Sequence, residues 1–597
     1  MNGFKTCLCS LAMAVWTGWA VAAEFAVAPL GSDDAPGNAQ APFRTIQQAA
    51  RVMLPGDLCR VQAGVYRESV RPARSGEEGK PIRFEALGEV TLNGAEPITG
   101  WTAVGNGVYR AACDGPVTQL FADGVMMTLA RWPNAPLEPM EQTWAAAEKG
   151  SEMGLVVDSQ LPALDLNGAI VHMLPGEHWV SWTRGIRDCN PDKHSFAFDG
   201  NWSSDYAHVV KSGSKYFLMN HRALLDAPGE WFYDDAEKAL YLCPCNGADP
   251  ARQRIEVKRR NLAFDLSALS NVQLKGFRVF GSTISLNDAA YCAVEQCHLR
   301  YASHFIECEG WAGRNDTGII VGGHDNLVSG SSVVYSAGNG VTLTGENNVV
   351  TNCLVRNVDY AALDCAAVWM EGTGNAIRHS SLHDTGRSII VHRTLRNGRI
   401  EYNELFNAGR LTTDLGITYC FGTDGAGTII AYNWVHDNKA EKCGVGIYID
   451  NNSSNFLIHH NVSFNNGNSG IRLNTPSHNN LVYHNTVLNN GDSLHYWGPD
   501  GVKDQAGCRV FNNIFINKVV TGDGIELKNN YLGREPGIVS PDQRDFTLKP
   551  DSGCVDAGIP IAAVNDGFKG KAPDQGAYEL GAPAWKPGHD WGEAPEF

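Results

Sequence analysis

A short hydrophobic motif recurs along the second half of the chain and constrains the fold more than any other feature. Each copy is a run of aliphatic and β-branched residues that ends in a small or amide residue. Successive copies lie 23 to 30 residues apart and end at Cys353, Ser380, Asn403, Asn433, Asn461, Asn485 and Asn513. Repeats of ~20–50 residues are typical of solenoids, and short β-branched runs bounded by Gly and Asn indicate strands. The sequence therefore predicts an all-β fold, a right-handed parallel β-helix.

The asparagines that end five of these motifs are expected to have a structural role. In a stack of parallel coils, an inward-facing asparagine can hydrogen-bond to its counterpart one coil away. We therefore predict one buried column of five residues, Asn403, Asn433, Asn461, Asn485 and Asn513. This interpretation is favoured over a catalytic role for these side chains.

The coil pattern does not run through the whole chain. It stops after Trp101 and returns at about Leu262, so we expect residues 101–261 to form an inserted β-rich domain. Residues 24–100 would then hold an N-terminal cap and the first coils, 262–540 the main β-helix, and 541–597 a C-terminal cap and tail. Helical spacing from Thr45 to Met53 predicts a helix that caps the open end of the first coil.

The first residues are typical of a secretory signal peptide. Lys5 precedes an apolar run from Cys7 to Trp19, and small residues follow up to Ala23. We expect residues 1–23 to be removed and the remaining protein to be secreted or periplasmic. The apolar run is too short for a stable membrane span, and no later stretch approaches the necessary length.

Composition narrows the range of partners. The 597-residue chain has a formal charge of −17, whereas nucleic-acid binding needs a basic surface. The same acidity weakly disfavours strongly polyanionic substrates. The cysteines show no CxxC pair of the kind that binds structural zinc, so we expect no metal site and no cofactor. A bound Ca²⁺ is not predicted.

Each coil carries a second strand whose outward residues would line a ligand-binding face. Period-2 alternation predicts that one set of aliphatic residues points inward, Val341, Val368, Ile389, Ile417, Ile447 and Ile471. Aligning these strands gives one outward row of five residues, Glu371, His392, Cys420, Asp450 and Asn474. A second row lies two residues earlier and contains Trp369, Ile390, Thr418, Tyr448 and Arg472.

This mixture of acidic, basic and aromatic side chains predicts a cleft that binds a carbohydrate polymer or oligosaccharide. Trp311, in a long loop before its face strand, is expected to form part of the cleft wall. The predicted substrate-binding residues are Glu371, His392, Trp369, Tyr448, Arg472, Asn474 and Trp311.

Three carboxylates are predicted to meet on the same face. Asp414 precedes one face strand, Asp424 follows it in a glycine-rich turn, and Asp450 ends the next face strand. Because parallel coils stack about 4.8 Å apart, carboxylates on adjacent coils are expected within ~5–10 Å of each other. Glycoside hydrolysis uses such a pair, one as general acid and one as nucleophile or base. Turn formation by Asp424 and loop capping by Asp414 are the competing interpretations.

Several stretches of the chain resemble known enzymes. The segment from Gly31, GSDDAPGNAQAPFRTIQQAARVMLPGDLCRVQAGVYRESV, resembles the start of secreted β-helix enzymes related to pectate lyases. Three further stretches begin at Leu120, Glu230 and Thr413, and read LFADGVMMTLARWPN, EWFYDDAEKALYLCP and TDLGITYCFGTDGAGTIIAYNWVHDN. Together they are similar to β-helical glycoside hydrolases of the β-xylosidase and α-L-fucosidase type, families 120 and 141. The resemblance covers nearly the whole chain after residue 23 and implies a glycosidase with acidic residues on the β-helix face.

The leading hypothesis is a secreted glycoside hydrolase that acts on plant or algal cell-wall polysaccharide or its oligosaccharides. A second hypothesis is a polysaccharide lyase or uronate epimerase, in which Arg472, His392 or Tyr448 would act on a uronate, although the face has no lysine. A third is a non-catalytic adhesin that binds carbohydrate. The sugar, the linkage and the oligomeric state are left open by the sequence.

Overall fold

The computed structural model describes residues 22–200, 207–310 and 317–597. Over these residues the chain forms a right-handed parallel β-helix with an inserted β-rich domain, which confirms the predicted fold class. Nearly all of the predicted signal peptide and the predicted cleft residue Trp311 lie outside the described residues. Within them, no helix has both the length and the apolar character that a membrane crossing requires.

Two of the three β-helix faces belong to one 26-stranded sheet. The first face contains Glu24–Val27, Leu58–Tyr66, Ile82–Asn93, Val272–Lys275, Ala293–Glu295, Leu327–Ser329, Val349–Thr351, Ala376–Arg378, Arg399–Glu401, Asp424–Ala431, Ser453–His459, Ser477–His478, Leu481–Tyr483, Arg509–Phe511 and Glu526–Lys528. The second contains Arg278–Phe280, His298–Ser303, Ser332–Ser336, Leu354–Val358, Ser381–Thr385, Glu404–Phe406, Trp434–His436, Val462–Phe464, Thr486–Leu488, Ile514–Phe515 and Tyr531–Leu532. Strand Ile82–Asn93 pairs with the second face as well as the first.

The third face is an 11-stranded parallel sheet, called the face sheet below. Its strands are Leu262–Asp265, Thr283–Leu286, Ile319–Val321, Val341–Leu343, Ala366–Met370, Ser388–Val391, Leu415–Cys420, Gly444–Ile449, Ser469–Leu473, Asp492–His495 and Lys518–Val519. The six aliphatic residues predicted to point inward from these strands all belong to the main hydrophobic core. Of the carboxylates predicted to be catalytic, Asp414 and Asp450 flank strands of this sheet, whereas Asp424 begins a strand of the first face.

The inserted domain interrupts the coils and is built mainly of antiparallel strands. Its largest sheet contains Arg131–Trp132, Ala145–Ala146, Leu155–Val157, Ile170–Leu174, Trp182–Asn190, Ser195–Phe198 and Lys215–Met219. Two smaller sheets contain Thr102–Gly105, Val108–Ala112, Thr128–Leu129, Glu230–Asp234 and Ala239–Leu242, and Ala95–Pro97, Leu120–Ala122, Val125–Met126 and Ile255–Lys258. The β-helix resumes directly, because Val272–Lys275 pairs with Ile82–Asn93.

A single α-helix in the described chain, Ile46–Val52, closes the N-terminal end of the coils. The Thr45 hydroxyl accepts a hydrogen bond from the backbone N–H of Gln48, which satisfies one of the free donors of the first helical turn. Ile46, Ala49 and Ala50 are buried in the main core. The helix therefore covers apolar side chains of the first coil that would otherwise face water, as the sequence predicted.

The C-terminal tail returns along the outside of the β-helix. Beyond the hairpin of Ile538–Ser540 and Asp545–Leu548, Trp585 packs against the ring of Tyr432, and the Gly588 N–H donates to the Tyr402 carbonyl. Further along, the indole N–H of Trp591 donates to the Asn352 carbonyl. The tail therefore contacts several coils that are far apart in sequence.

The predicted asparagine column is confirmed. Asn403, Asn433, Asn461, Asn485 and Asn513 are all fully buried. Asn433, Asn461, Asn485 and Asn513 each accept hydrogen bonds at Oδ1 from the backbone N–H and the side-chain amide of the preceding asparagine; for example, Asn433 donates both to Asn461 at 3.1 and 2.9 Å. Asn403 accepts from the backbone N–H of Ser380. Two further ladders, which the sequence analysis did not predict, join Asn326, Asn348 and Asn375, and Asn438, Asn466 and Asn490.

Replacing Asn461 with alanine should therefore destabilise the β-helix strongly. The change removes the acceptor of two donors of Asn433 and the donor to the Ile430 carbonyl at 2.8 Å, all in the dry interior. Unpaired buried polar groups cost ~1–3 kcal/mol each, so the three groups together should cost at least ~3 kcal/mol. Thermal and urea denaturation measure the effect. Asn287, exposed in a turn, is the matched control, and equal losses for N461A and N287A would contradict the structural role of the ladder.

Candidate active site

The pairing register of the face sheet differs from the predicted register at two strands. Trp369 pairs with Val391, Val391 with Tyr419, Tyr419 with Tyr448, and Tyr448 with Arg472. The predicted row had Ile390 and Thr418 in place of Val391 and Tyr419, so it was wrong by one residue in both strands. Because side chains alternate with period 2, a shift of one residue exchanges the two faces in the later part of each strand, although Ile389 and Ile417, near the strand starts, still lie in the main core.

The same shift places His392 and Cys420 inside the coil, not on the ligand-binding face as predicted. His392 is fully buried, with its ring 5.5 Å from that of Phe456, and neither ring nitrogen has a hydrogen-bond partner in the described chain. Burial lowers the pKa of His392 to about 3, so the ring is neutral. Arg393 and Phe421 follow Val391 and Tyr419 by two residues and occupy the outward positions instead.

Asp450 lies at the end of strand Gly444–Ile449 and is held by three hydrogen bonds. Its Oδ1 accepts from the Asn451 N–H at 2.8 Å and from the Asn474 amide at 2.7 Å, while Oδ2 accepts from the Tyr419 hydroxyl at 3.0 Å. The pKa of Asp450 is nevertheless raised, first by burial and further by the negative charge of Asp414. Desolvation therefore outweighs the three donors that stabilise the ionised carboxylate.

Asp414 is brought to the same place from the loop before strand Leu415–Cys420. Its backbone has a left-handed conformation, with φ of 52°, which aspartate tolerates better than most residues. The Asp414 N–H donates to the Lys442 carbonyl at 3.0 Å, and the Asp414 carbonyl accepts from Arg387 at 3.1 Å. The pKa of the Cys443 thiol is raised, mainly by burial and further by the negative charge of Asp414, whose carboxylate hydrogen-bonds with this thiol. The fold thus places Asp414 close enough to Asp450 for its charge to act on the Asp450 carboxyl.

Asn474 links Asp450 to its neighbours on the next coils. Its amide donates to Asp450 and to the Tyr448 hydroxyl at 2.9 Å. Its Oδ1 accepts from Arg472 Nε at 2.9 Å and from the Trp497 N–H at 2.8 Å. Tyr448, Arg472 and Asn474 are all buried, so these three predicted binding residues lie beneath the surface of the site.

Trp369 and Glu371, the two other predicted binding residues, lie on the earlier side of the row. The Trp369 indole N–H donates to Glu371 at 2.9 Å. Trp369 is buried and Glu371 is half-buried. The Arg393 guanidinium lies 5.6 Å from the centre of the Trp369 ring and 5.5 Å from that of Tyr419. Trp369 and Tyr419 therefore share one cation, within the distance of a cation–π contact.

The sequence analysis missed a buried charge cluster beside Tyr419. Asp364 binds Arg387 at 3.1 Å through one oxygen and Arg393 at 3.1 Å through the other. Asp364 and Arg387 are buried, and burial raises the pKa of Tyr419, which keeps its hydroxyl protonated as a donor to Asp450. Tyr419 would have been found by aligning it with Tyr448, since both carry an aromatic ring at the same position of adjacent strands.

Asp424 does not join the pair formed by Asp414 and Asp450. It begins strand Asp424–Ala431 on the first face, is exposed, and binds Arg396 at 2.8 Å and Asn455 at 2.7 Å. Its carboxylate also accepts from the Ala426 N–H two residues later, the pattern of an Asx turn. These donors lower its pKa, with Asn455 contributing most. The placement agrees with the turn interpretation.

The inserted domain forms one side of the site. The Thr413 N–H, next to Asp414, donates to the His178 carbonyl at 3.0 Å. Arg387 donates to the Trp179 carbonyl at 2.8 Å. Lys442 lies 3.5 Å from Glu177 of the same loop. Residues 177–179 therefore hold the loop that carries Asp414 in place.

A cavity of about 110 Å³ lies elsewhere between the inserted domain and the coils. Its lining is largely apolar, and its Arg131 guanidinium donates to Gln142 and to the Thr143 carbonyl. His172 Nε2 is 3.0 Å from the Ala361 carbonyl. The residues that line the cavity include no Asp or Glu, so it has no counterpart of the Asp414–Asp450 pair. Among the described residues, no cluster of three or more His, Cys, Asp or Glu side chains is arranged to hold a metal ion.

Comparison with known proteins supports the fold. A solved structure described as a glycoside hydrolase superposes with a TM-score of 0.63 and 15% sequence identity, over 89% of this chain and 99% of that chain. The complex of XylC with xylose gives a TM-score of 0.39 at 16% identity, over 85% and 83% of the two chains. Pectate lyase Pel9A gives 0.37 at 13% identity, over 94% and 97%. At 15% identity, the first superposition shows a similar fold and nothing further. The TM-scores of the other two structures are too low to support a conclusion.

Comparison by sequence is more restricted. A family model described as periplasmic copper-binding protein (NosD) matches residues 301–505, about a third of the chain. The matched range consists of consecutive coils of the β-helix and includes Asp414 and Asp450. No curated protein matches at a significant level. The chain is therefore a right-handed parallel β-helix protein, similar in fold to a known glycoside hydrolase.

The two aspartates with opposite pKa shifts should give opposite pH dependences of stability. The raised pKa of Asp450 favours its protonated form in the folded state. Its contribution to stability is present below the unfolded pKa, ~3.9, and is lost as the pH rises through the folded pKa. The isosteric variant D450N has no ionisable group at this position, so its stability does not fall in this way as the pH rises. The Tm of D450N minus the Tm of wild type should therefore increase between pH 4 and pH 8.

Asp424 provides the matched control for this measurement. Its lowered pKa means that its stabilisation is present above the unfolded pKa and is lost as the pH falls. D424N should therefore have a Tm equal to that of wild type in acid and slightly lower at neutral pH. Thermal scans at several pH values test both variants, and a D450N curve parallel to the wild-type curve would contradict the raised pKa.

Proposed function

We propose that the protein is a glycoside hydrolase in which Asp450 is the general acid and Asp414 is the second carboxylate. The observation that carries this proposal is the pair itself: two carboxylates meet on one face, and one of them has a raised pKa because it is buried. Glycosidases need one carboxyl protonated and one ionised at the same pH. The burial that raises the pKa of Asp450 supports its role as the protonated carboxyl.

The hydrogen bonds of Asp450 indicate which oxygen carries the proton. Oδ1 accepts from the Asn451 N–H and the Asn474 amide, which are donors and cannot accept a proton in return. The orientation of Asn474 is set by Arg472 and the Trp497 N–H, which both donate to its Oδ1. We therefore place the proton of Asp450 on Oδ2, which can still accept the hydrogen bond from the Tyr419 hydroxyl through a lone pair, so that the proton is free to move to the substrate. We assign Oδ2 as the atom that protonates the leaving oxygen.

Asp414 has the complementary role in this proposal. As the ionised carboxylate it attacks the anomeric carbon directly or activates a water molecule, and these two routes lead to retention or inversion of configuration. Its half-buried side chain approaches the site from the loop next to residues 177–179. Proton NMR of the first-formed anomer distinguishes the two routes.

The surrounding residues divide into positioning and binding groups. Tyr419, Tyr448, Arg472 and Asn474 are buried and hold Asp450, directly or through one another, so we assign them positioning roles. Trp369, also buried, supports Glu371, and the half-buried Glu371 and Arg393 remain as candidates for sugar hydroxyls. Asp424 and His392 have no part in the proposed chemistry.

A hydrolase is favoured over a lyase by the arginines near the site. A lyase needs a cation to neutralise the uronate carboxylate, but Arg387 and Arg393 already share the Asp364 carboxylate. Arg472 is buried and donates to Asn468 and Asn474. The proposed reaction needs no cofactor, because both reacting carboxyls come from the chain.

The substrate class and the location follow from the sequence. The resemblance to β-helical glycosidases leads us to propose plant or algal cell-wall polysaccharide, or its oligosaccharides, as the substrate. The predicted signal peptide leads us to propose export, and the word periplasmic in the description of the matching family model agrees with it. Such a location gives the enzyme access to polymers that do not enter cells.

An activity assay on a panel of wall polysaccharides tests the reaction class. Incubation with xylan, arabinoxylan, xyloglucan, rhamnogalacturonan, pectin and alginate should release reducing sugar from at least one polymer without the absorbance of unsaturated uronates. Reducing sugar together with that absorbance would instead identify a lyase. Binding without either signal would favour the adhesin hypothesis.

Substitution of the two carboxylates tests the site on whichever substrate is cleaved. D450N and D414N should each reduce kcat by ~100-fold or more, the usual contribution of acid–base catalysis. Both side chains are nearly isosteric with the originals, so circular dichroism should be unchanged. D424N is the control and should keep wild-type turnover. If D450N and D414N both keep near-normal turnover, the site assignment is wrong.

A further inference from the structure

We propose that Phe421 and Trp497 are stacking platforms for two sugar rings of one linear saccharide that lies along the β-helix axis. The two platforms stand on either side of Asp450, so the substrate occupies sites on both sides of the bond to be cleaved. This inference depends on the proposed function in one respect, which is that the bond to be cleaved lies next to Asp450. The binding surface itself stands on the geometry of the two side chains.

Exposure singles out these two aromatic side chains. In the part of the chain that the structure describes, the aromatic residues with strongly exposed side chains are Tyr291, Phe421 and Trp497, which are 56%, 49% and 52% exposed. Neither Phe421 nor Trp497 packs against another ring of the described chain. A large apolar ring left in water costs free energy unless a ligand covers it, and two of the three flank the proposed acid.

The pairing register places both rings in one row with Asp450. Phe421 follows Cys420, which pairs with Ile449, so Phe421 lies beside Asp450 on the preceding coil. Asn474 lies beside Asp450 on the next coil, where its N–H donates to the Ile449 carbonyl. Trp497 follows one coil later, since His495 pairs with Arg472. The order along the axis is therefore Phe421, Asp450, Asn474, Trp497.

Trp497 is also connected to the acid by hydrogen bonds. Its backbone N–H donates to Asn474 Oδ1 at 2.8 Å, and the amide of Asn474 donates to Asp450 at 2.7 Å. The Trp497 carbonyl accepts from the Thr475 N–H at 2.9 Å. These bonds fix the Trp497 backbone relative to Asp450, so the platform is preorganised while its ring stays accessible.

The spacing of the row suits a linear chain of pyranose rings. Three coil steps separate Phe421 from Trp497, a distance of ~14 Å at the spacing of parallel strands. One unit of a linear polysaccharide advances by about one coil step, so the two rings can contact different units of the same chain. The C–H face of a pyranose packs on an aromatic ring, whereas its hydroxyls reach polar groups between the platforms, such as Asp450. A short exo-type substrate would use only one platform.

Binding measurements in the D450N background test the proposal without turnover. D450N is compared with D450N/F421A, D450N/W497A, D450N/W497F and D450N/Y291A by native affinity electrophoresis in gels with xylan, arabinoxylan, xyloglucan, rhamnogalacturonan, pectin or alginate. We expect D450N to be retarded by at least one polymer. F421A and W497A should each weaken its affinity about tenfold, whereas W497F should restore most of it because an aromatic face remains.

Tyr291 is the matched control, because it is equally exposed but lies in a turn next to His324, on an earlier coil. Y291A should bind like the parent. Fragments of two to six units from the retarding polymer then test chain length by titration calorimetry. Affinity should rise with length in D450N and rise much less in D450N/W497A.

Several outcomes would overturn the inference. They are the absence of retardation with every polymer, equal affinities for the parent, F421A and W497A, or an affinity that does not depend on chain length. The two proposals can also give opposite results. If D450N/F421A and D450N/W497A lose binding while D450N alone keeps full turnover, the stacking platforms are supported and the assignment of Asp450 as the catalytic acid is refuted. The two proposals can thus fail separately. Equal Tm values for all variants exclude unfolding as the cause of lost binding.

Discussion

The stacking of parallel coils is the constraint on which the rest of the structure depends. Every coil must pair its backbone with the next at a spacing of about 4.8 Å, and its inward polar groups must find partners in a dry interior. The asparagine ladders meet the second requirement, since Asn433, Asn461 and Asn485 each satisfy donors of the preceding coil. Once the coils are in register, residues far apart in sequence become neighbours in straight rows.

The candidate site is a product of those rows and of the inserted domain above them. The rows bring Tyr419, Asp450 and Asn474 together from three coils, and the loop at residues 177–179 holds the segment that carries Asp414. Burial then determines the chemistry: Asp450 has three hydrogen-bond donors, yet its pKa is raised because desolvation outweighs them. On the surface the same carboxyl would behave as Asp424 does, ionised and paired with an arginine.

Sequence analysis was accurate where a local pattern had one structural solution. The asparagine motif predicted a buried column, and the spacing from Thr45 predicted the capping helix. It was wrong in the register of strands Ser388–Val391 and Leu415–Cys420. The run Ile389-Ile390-Val391 has no alternation of polar and apolar residues, so its faces cannot be distinguished by pattern. Because of this error, His392 was assigned to the surface, and Arg393, Phe421 and Tyr419 were not recognised as outward-facing residues.

The sequence by itself determined the coil architecture, the capping helix and the asparagine column, because these follow from periodicity and from patterns within short segments. Only the tertiary structure decided that Asp424 turns to Arg396, that Asp364 joins Arg387 to Arg393, and that Asn474 holds Asp450. Those contacts depend on which side of each strand faces outward and on what covers it. Side-chain direction and desolvation are properties of the packed coils, and no local run of residues encodes them.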